Sequence, residues 1–262
     1  MKKNIPILLS LLVLTAVACS HIDESERLIY VKPEAAKRVV LLEDFTGQRC
    51  VNCPKANDVI EQLQGEYGNT LIAVSIHGGP LGFKGNATTI GLATTLGDEY
   101  YSHWNLEYQP VALVNRHAPV NYAEWTAEVR EEAARPTTLS VGGNAALLDG
   151  GISLSVSVMS TEGATSGYLQ VWLVEDSIRA LQLMPDGSPN HEYVHNHVLR
   201  TDVNGAWGEV FSLAEGEMKD FLYEQDIDPA WNVENLRIVA FAYNGEGVIQ
   251  ASMIPITKST NK

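Results

Sequence analysis

Arg38-Val39-Val40-Leu41-Leu42-Glu43-Asp44-Phe45-Thr46, then Gly47-Gln48-Arg49 and Cys50-Val51-Asn52-Cys53-Pro54, is the stretch that decides the fold. The apolar, β-branched run reads as a buried strand of the parallel-sheet kind. Gly47-Gln48-Arg49 turns the chain, and Lys55 to Tyr67 carries Ala56, Val59, Ile60 and Leu63 at helical spacing. Pro54 suits a helix's first turn, where its missing N–H is no loss. The C-x-x-C therefore stands between a strand and a helix N-terminus, where free N–H groups and the helix dipole favour a thiolate. Adjacent Arg49 pushes Cys50, the more exposed of the pair, the same way. Cys53, one turn later, is placed to resolve a mixed disulfide. Three chemistries compete for such a pair. Zinc normally takes four ligands, and a second C-x-x-C is missing. A static bridge closing so short a loop contributes only about 2 kcal/mol. Thiol–disulfide exchange uses both sulfurs.

Outward from this stretch, Leu71 to His77 is a second clear strand, followed by a Gly-rich excursion from Gly78 to Gly91 and a helix around Leu92 to Trp104. Tyr108-Gln109-Pro110 is an X-Pro turn entering a third strand, Val111 to Asn115. The segment closes with a helix over Tyr122 to Ala134, whose Trp125, Val129 and Ala133 share a face. The β-α-β-α-β order with short crossovers points to an α/β sheet. His77 ends its strand near the expected thiol edge, where it either tunes the thiols or is simply solvated.

Pro136 marks a break in texture. Thr137–Val141, Ile152–Met159, Tyr168–Asp176, Gly208–Leu213, Leu236–Tyr243 and Val248–Ile256 alternate with period two and read as strands. Asp149-Gly150-Gly151 and Asn244-Gly245-Glu246-Gly247 supply tight connections. Gly216 to Tyr223 is at most a short helix. This pattern suggests a β-sandwich stabilised by core burial alone. Within it, His191-Glu192-Tyr193-Val194-His195-Asn196-His197 is the chemically suggestive stretch. On a strand, His195 and His197 share a face, a weak candidate metal pair with His191 or Glu192 as third ligand. A polar edge segment is the simpler reading. Trp172, Trp207 and Trp231 read as packing residues.

The N-terminus begins with a short positive region, Met1-Lys2-Lys3-Asn4, and an apolar run from Ile5 to Val17. That run suits a signal peptide and falls short of the roughly 20 residues of a spanning helix. It ends in Thr15-Ala16-Val17-Ala18-Cys19-Ser20, which resembles a bacterial lipobox. That likeness makes Cys19 the acylated N-terminus of the mature chain and the membrane its partner through lipid. Asp23-Glu24-Ser25-Glu26 follows, either a solvated tether or an export signal favouring the cell surface over the periplasmic face. The chain carries Lys+Arg 18 against Asp+Glu 32, a formal charge of -14. So acidic a surface excludes a nucleic-acid footprint.

Taken together, the C-V-N-C at a strand-to-helix junction, Asp44 six residues before Cys50, and Pro110 opening a later strand resemble a thioredoxin-like fold. The stretch Phe-Thr-Gly-x-x-Cys-x-Asn-Cys-Pro in a lipoprotein of this length resembles the outer-membrane-protein-related lipoprotein family of Bacteroidales. The first resemblance implies that Asp44 is a buried acid and that Pro110 is a cis-proline opposite a Cys50–Cys53 disulfide. If buried, Asp44 has a raised pKa and relays a proton to Cys53, whereas the plainer reading is a strand-end acid hydrogen-bonded to a turn. Arg49 and Val51-Asn52 stand where thioredoxin has Trp and Gly-Pro. The architecture implied is α/β plus all-β: a signal peptide over 1–18, an acidic tether over 19–35, a thioredoxin-like domain over 36–135 and an antiparallel β-sandwich over 136–262. The function expected is a membrane-anchored thiol-disulfide oxidoreductase with no cofactor, acting on client proteins through Cys50, Cys53, Asp44 and Pro110. The alternative is a non-enzymatic surface adhesin or complex-building lipoprotein.

Overall fold

The computed structural model describes residues 37–148 and 150–258. Signal peptide, Cys19 and acidic tether lie outside them. Among the described residues there are fourteen strands and three α-helices. Strands β1 (Val40–Thr46), β2 (Leu71–His77) and β3 (Val111–Val114) form where the apolar runs predicted them. β1 pairs parallel with β2 and antiparallel with β3, and short β4 (Val120–Asn121) pairs with β3. Helices α1 (Cys53–Tyr67) and α3 (Trp125–Ala133) cover one face of these strands, and α2 (Thr95–His103) lies between β2 and β3 in sequence.

The later strands are β5 (Leu139–Leu148), β6 (Gly151–Ser160), β7 (Thr165–Glu175), β8 (Ile178–Leu183) and β9 (Pro189–His195). They are followed by β10 (Val198–Asp202), β11 (Glu209–Leu213), β12 (Met218–Asp226), β13 (Leu236–Asn244) and β14 (Gly247–Lys258). Their connectivity corrects the expected fold class. A thioredoxin-like α/β domain followed by a separate antiparallel β-sandwich does not form. Instead one 12-stranded mixed sheet runs β12-β6-β5-β14-β13-β7-β10-β2-β1-β3-β4, with β11 added on β7. Short β10 closes the edge that β2 would otherwise leave open, pairing antiparallel with β7 and parallel with β2. The protein is mostly β.

The cores explain why the strands merge. β1 is buried on both faces. Val40 and Leu42 pack with Ala56, Ile60 and Leu63 of α1 and with Trp125 and Val129 of α3. Leu41 and Phe45 point the other way and share a core with Trp172, Val174, Val239 and Phe241 from β7 and β13. Apolar faces on both sides of Pro136 thus remove each other's surface from water, at roughly 25 cal/mol per Å². A further core lies between β5, β6 and β12 and the facing strands β7, β11 and β13. Long β14 serves both ends of the sheet, antiparallel to β13 and parallel to β5.

Asn115 ties these layers at the end of β3. Its Oδ1 accepts the Leu41 N–H at 2.8 Å and its Nδ2 donates to Glu132 of α3 at 2.7 Å. Its backbone oxygen accepts the Val248 N–H of β14 at 2.8 Å. It is fully buried with φ 51, a region Asn tolerates better than most residues. Asn115→Ala should therefore orphan a buried strand N–H and lower unfolding stability by at least about 2 kcal/mol. Urea unfolding checks this; an unchanged midpoint with unchanged slope contradicts it.

Candidate functional site

The chain leaves β1 at Thr46, turns through Gly47 and Gln48, and enters α1 at Cys53 with Pro54 in the first turn. The Cys50 N–H donates to Gly47 O and the Cys53 N–H to Cys50 O, so the turn is hydrogen-bonded before the helix starts. Gly47 has no room for a side chain: a Cβ there would lie 2.3 Å from Leu81 O. Cys50 and Cys53 are joined by a disulfide with Cα atoms 5.4 Å apart. Both cysteines are covered, Cys50 at 1% and Cys53 at 4% exposure, so Cys50 is not the more exposed of the pair as its place ahead of the helix suggests. Arg49 is exposed, and its guanidinium lies over the Phe83 ring at 5.0 Å.

The Gln109–Pro110 peptide bond is cis. Gln109 itself knits the strand ends together, donating to Thr46 O and Gly78 O and accepting from the Leu81 N–H.

Behind Cys53 is a buried chamber of about 20 Å³, lined by Asp44, Thr46, Ser75, His77 and, from the later half of the chain, Gln182, Tyr193 and His195. Asp44 is 3% exposed with no charge partner, and burial pushes its carboxyl up to about 8. His77 is 2% exposed, and burial, reinforced by His195 and Arg200, holds it well below the usual histidine range. His195 is likewise pushed down by burial, to about 4. The two imidazoles meet edge to face with centroids 5.3 Å apart. At neutral pH the chamber thus holds two neutral imidazoles and a carboxyl that is mostly protonated.

The β8–β9 hairpin delivers His195 and also roofs the cysteine turn. Gln182 Nε2 donates to Cys50 O at 2.9 Å, the Leu183 N–H donates to Gln48 O at 2.9 Å, and Gln48 Nε2 donates to Leu181 O at 2.9 Å. The sequence offers no sign of Gln182 or Tyr193 at this site, because a side chain far along the chain carries no local pattern. The expected His195–His197 pair is split. His197 follows β9 with φ 58, its N–H donates to Asp176 Oδ1, and its ring meets Gln64 of α1 at 3.1 Å. A positive φ breaks the alternation that a continuous strand would impose. His191 and Glu192 are exposed. Among the described residues no group of three His, Cys, Asp or Glu side chains is arranged to hold a metal ion. Of the tryptophans, Trp172 is core, while Trp207 and Trp172 both ring the buried guanidinium of Arg116.

Known proteins give this geometry a family. The model of the outer membrane protein Omp28 family matches residues 97–259. The chain belongs to the Omp28 family. Membership places it at the outer membrane, and among the described residues no helix is long and apolar enough to cross a membrane. No curated protein matches the chain. Among solved structures, HBP35 of Porphyromonas gingivalis is similar with a TM-score of 0.68 at 14% identity, over 87% of this chain and 79% of that one. A protein from Agrobacterium tumefaciens is similar with a TM-score of 0.55 at 16% identity, over 87% and 99% of the two chains. A domain of the outer membrane lipoprotein Omp28 from Porphyromonas gingivalis is 28% identical over 47% of this chain and 92% of its own, with a TM-score of 0.36. At 14% and 16% identity the first two likenesses are of fold alone.

Asp44 makes stability depend on pH in a set direction. Its ordinary value is 3.8, and the folded value is about 8. Between these limits the folded chain keeps a proton that the unfolded chain has released, so this group makes stability fall as pH rises, by at most about 1.4 kcal/mol per pH unit. Asp44→Asn should remove that slope, so the variant gains on the wild type from pH 5 to pH 8. Denaturant unfolding of the oxidised proteins at the two pH values measures the gap; a gap that stays constant means Asp44 titrates normally.

Proposed function

We propose that this Omp28-family protein is an outer-membrane lipoprotein, anchored by lipid on Cys19, that exchanges disulfides through Cys50 and Cys53. The observation that carries this reading is that Cys53 and the buried carboxyl of Asp44 line the same chamber. Cys50 is the attacking sulfur, since it precedes the N-terminus of α1, whose dipole favours a thiolate. Cys53 is the resolving sulfur: it loses its proton, attacks Cys50 and releases the client as a thiol. A carboxyl titrating near ambient pH is suited to take and return that proton.

A second, non-enzymatic reading is favoured by one specific fact. Cys50 is almost inaccessible beneath the β8–β9 hairpin, as a static bridge in a surface or complex-building scaffold would be. Trapping in the native cell separates the two. Cys53→Ala should accumulate mixed disulfides with client proteins through Cys50, visible as adducts that collapse on reduction, and Cys50→Ala should accumulate far fewer. If the Cys53 variant traps nothing, the scaffold reading replaces the redox one.

The anchor is tested apart from the chemistry. Cys19→Ala should move the protein from the membrane fraction to the soluble fraction, because the acidic surface offers anionic headgroups no attraction. Retention of that variant on membranes would mean that something other than covalent lipid holds it.

A further inference from the structure

The chamber behind Cys53 contains more unmet polar capacity than its walls can satisfy. Asp44 Oδ1, His77 Nδ1 and His195 Nε2 have no hydrogen-bond partner. All three residues line the chamber and are more than nine-tenths buried. A buried polar atom left without a partner costs about 1–3 kcal/mol, so three around one small space call for a shared partner. At about 20 Å³ the chamber has room for a single water, which can satisfy two to four polar groups. The walls come from different parts of the chain: Asp44 from β1, His77 from β2, Cys53 from α1, and Tyr193 and His195 from β9. Other charges act from a distance, Arg200 on His77 and Asp58 and Glu61 on Tyr193. The outer wall is formed by Asn57 and Asn196, both half-buried.

We infer that the chamber holds one water bridging Asp44, His77 and His195, and that His195 positions this water to pass a proton between Asp44 and solvent. The inference rests on the thiol–disulfide reading above. His195 suits the task because its Nε2 is buried at the chamber without a partner, and burial outweighs the nearby Ala180 and Leu181 backbone to keep the ring neutral. With the ring neutral, Nε2 is free to bond a water in the chamber. In the resolving step, the Asp44 carboxyl first gives its proton to solvent through the bridging water; the resulting carboxylate takes the proton of the Cys53 thiol, and the thiolate attacks Cys50 Sγ. The Cys50–Cys53 bond forms as the bond from Cys50 to the client sulfur breaks, and the client leaves as a thiolate. The two cysteines are oxidised and the client disulfide is reduced. His195 is thus a positioning residue, acting through that water rather than on sulfur.

The test uses the full chain in detergent, with Cys19→Ala so that Cys50 and Cys53 are its reactive thiols. The protein is reduced, freed of reductant and mixed with dithiobis(nitrobenzoate). A first thionitrobenzoate release reports attack by Cys50, and a second reports resolution by Cys53. His195→Phe keeps an aromatic ring but removes the acceptor, and should slow the second release by about 10- to 100-fold while leaving the first within about twofold. His195→Gln, which can still hold a water, should restore most of the lost rate, a rescue that mere packing would not give. The chain with native His195 supplies a measurement that needs no folded variant at that position: in D2O the second release should slow more than the first. If the first release occurs and the second ignores both His195→Phe and D2O, the water relay is overturned and the redox reading stands. If the reduced protein gives no first release, the redox reading itself fails and the relay with it.

Discussion

Strand β10 meets β2 through a parallel bridge at Val198 and Ser75, where the Ser75 N–H donates to His197 O at 2.8 Å, and the rest of the architecture hangs on that contact. Without it β2 would end the sheet as an exposed strand edge, a liability in any β protein. With it, hydrogen bonding runs unbroken from β12 to β4. The bridge is set by His197, whose left-handed backbone lies between β9 and β10 and whose N–H and ring are held by Asp176 and Gln64. His195 lies two residues earlier, so fixing β10 on β2 also fixes His195 against His77 at the end of β2. One strand contact therefore closes the sheet and completes the chamber.

A second knot works on the other side of β1. Asn115 and Arg116 adopt positive φ in succession, at 51 and 60, and such residues persist only when their surroundings over-determine them. Asn115 is fixed by its bonds to Leu41, Glu132 and Val248. Arg116 is fixed by Glu43 at 3.3 Å and by the faces of Phe241 and Tyr243, 4.7 and 4.2 Å from its guanidinium carbon. A buried ion pair adds little net stability, but removing either partner leaves a charge without compensation. Burial still raises the Glu43 carboxyl despite Arg116 beside it. These residues lock β3 and β13 in register around β1, and so hold steady the strand that carries Asp44.

Local reading reached the parts of this fold that local physics determines. β1, β2, β3, α1 and the position of C-x-x-C at the helix start follow from apolar runs, helical spacing and a proline in the first turn. What it missed is fixed by distant partners. β12 is rich in helix-forming residues and buries Phe221 alone along its length, yet it pairs with β6 along its whole length. The expected strand over Thr137–Val141 stops short of Gly142-Gly143, where β5 runs on to Leu148. Gly143 instead continues the strand, since a Cβ there would lie 2.2 Å from Ser155 O on β6. β10 is too short and polar to announce that it docks on β2, and this is why two independent domains were expected where one sheet forms. At the site, Cys50, Cys53, Asp44 and His77 were legible from their strand and helix ends. Gln182 and the placement of His195 were not, because tertiary pairing alone brings the β8–β9 hairpin over the cysteines.

That hairpin joins access and proton transfer in one element. On the redox reading, a client sulfur must approach Cys50 along the axis of the bond to be broken, and at 1% exposure it has no path unless β8–β9 lifts. Lifting breaks the Gln182 and Leu183 bonds to the cysteine turn and withdraws His195 from the chamber. Open, the site is reachable and wet, so bulk water can serve any proton that moves. With the hairpin down, bulk water is kept from the cysteine turn, electrostatic interactions strengthen and the Cys53 proton needs a nearby acceptor. The client sulfur stays bonded to Cys50 until Cys53 displaces it, so for the relay to act the hairpin has to admit that sulfur while keeping His195 at the chamber. On that reading the element that covers the thiols also carries the side chain that positions the water, so access and proton transfer are coupled through one hairpin.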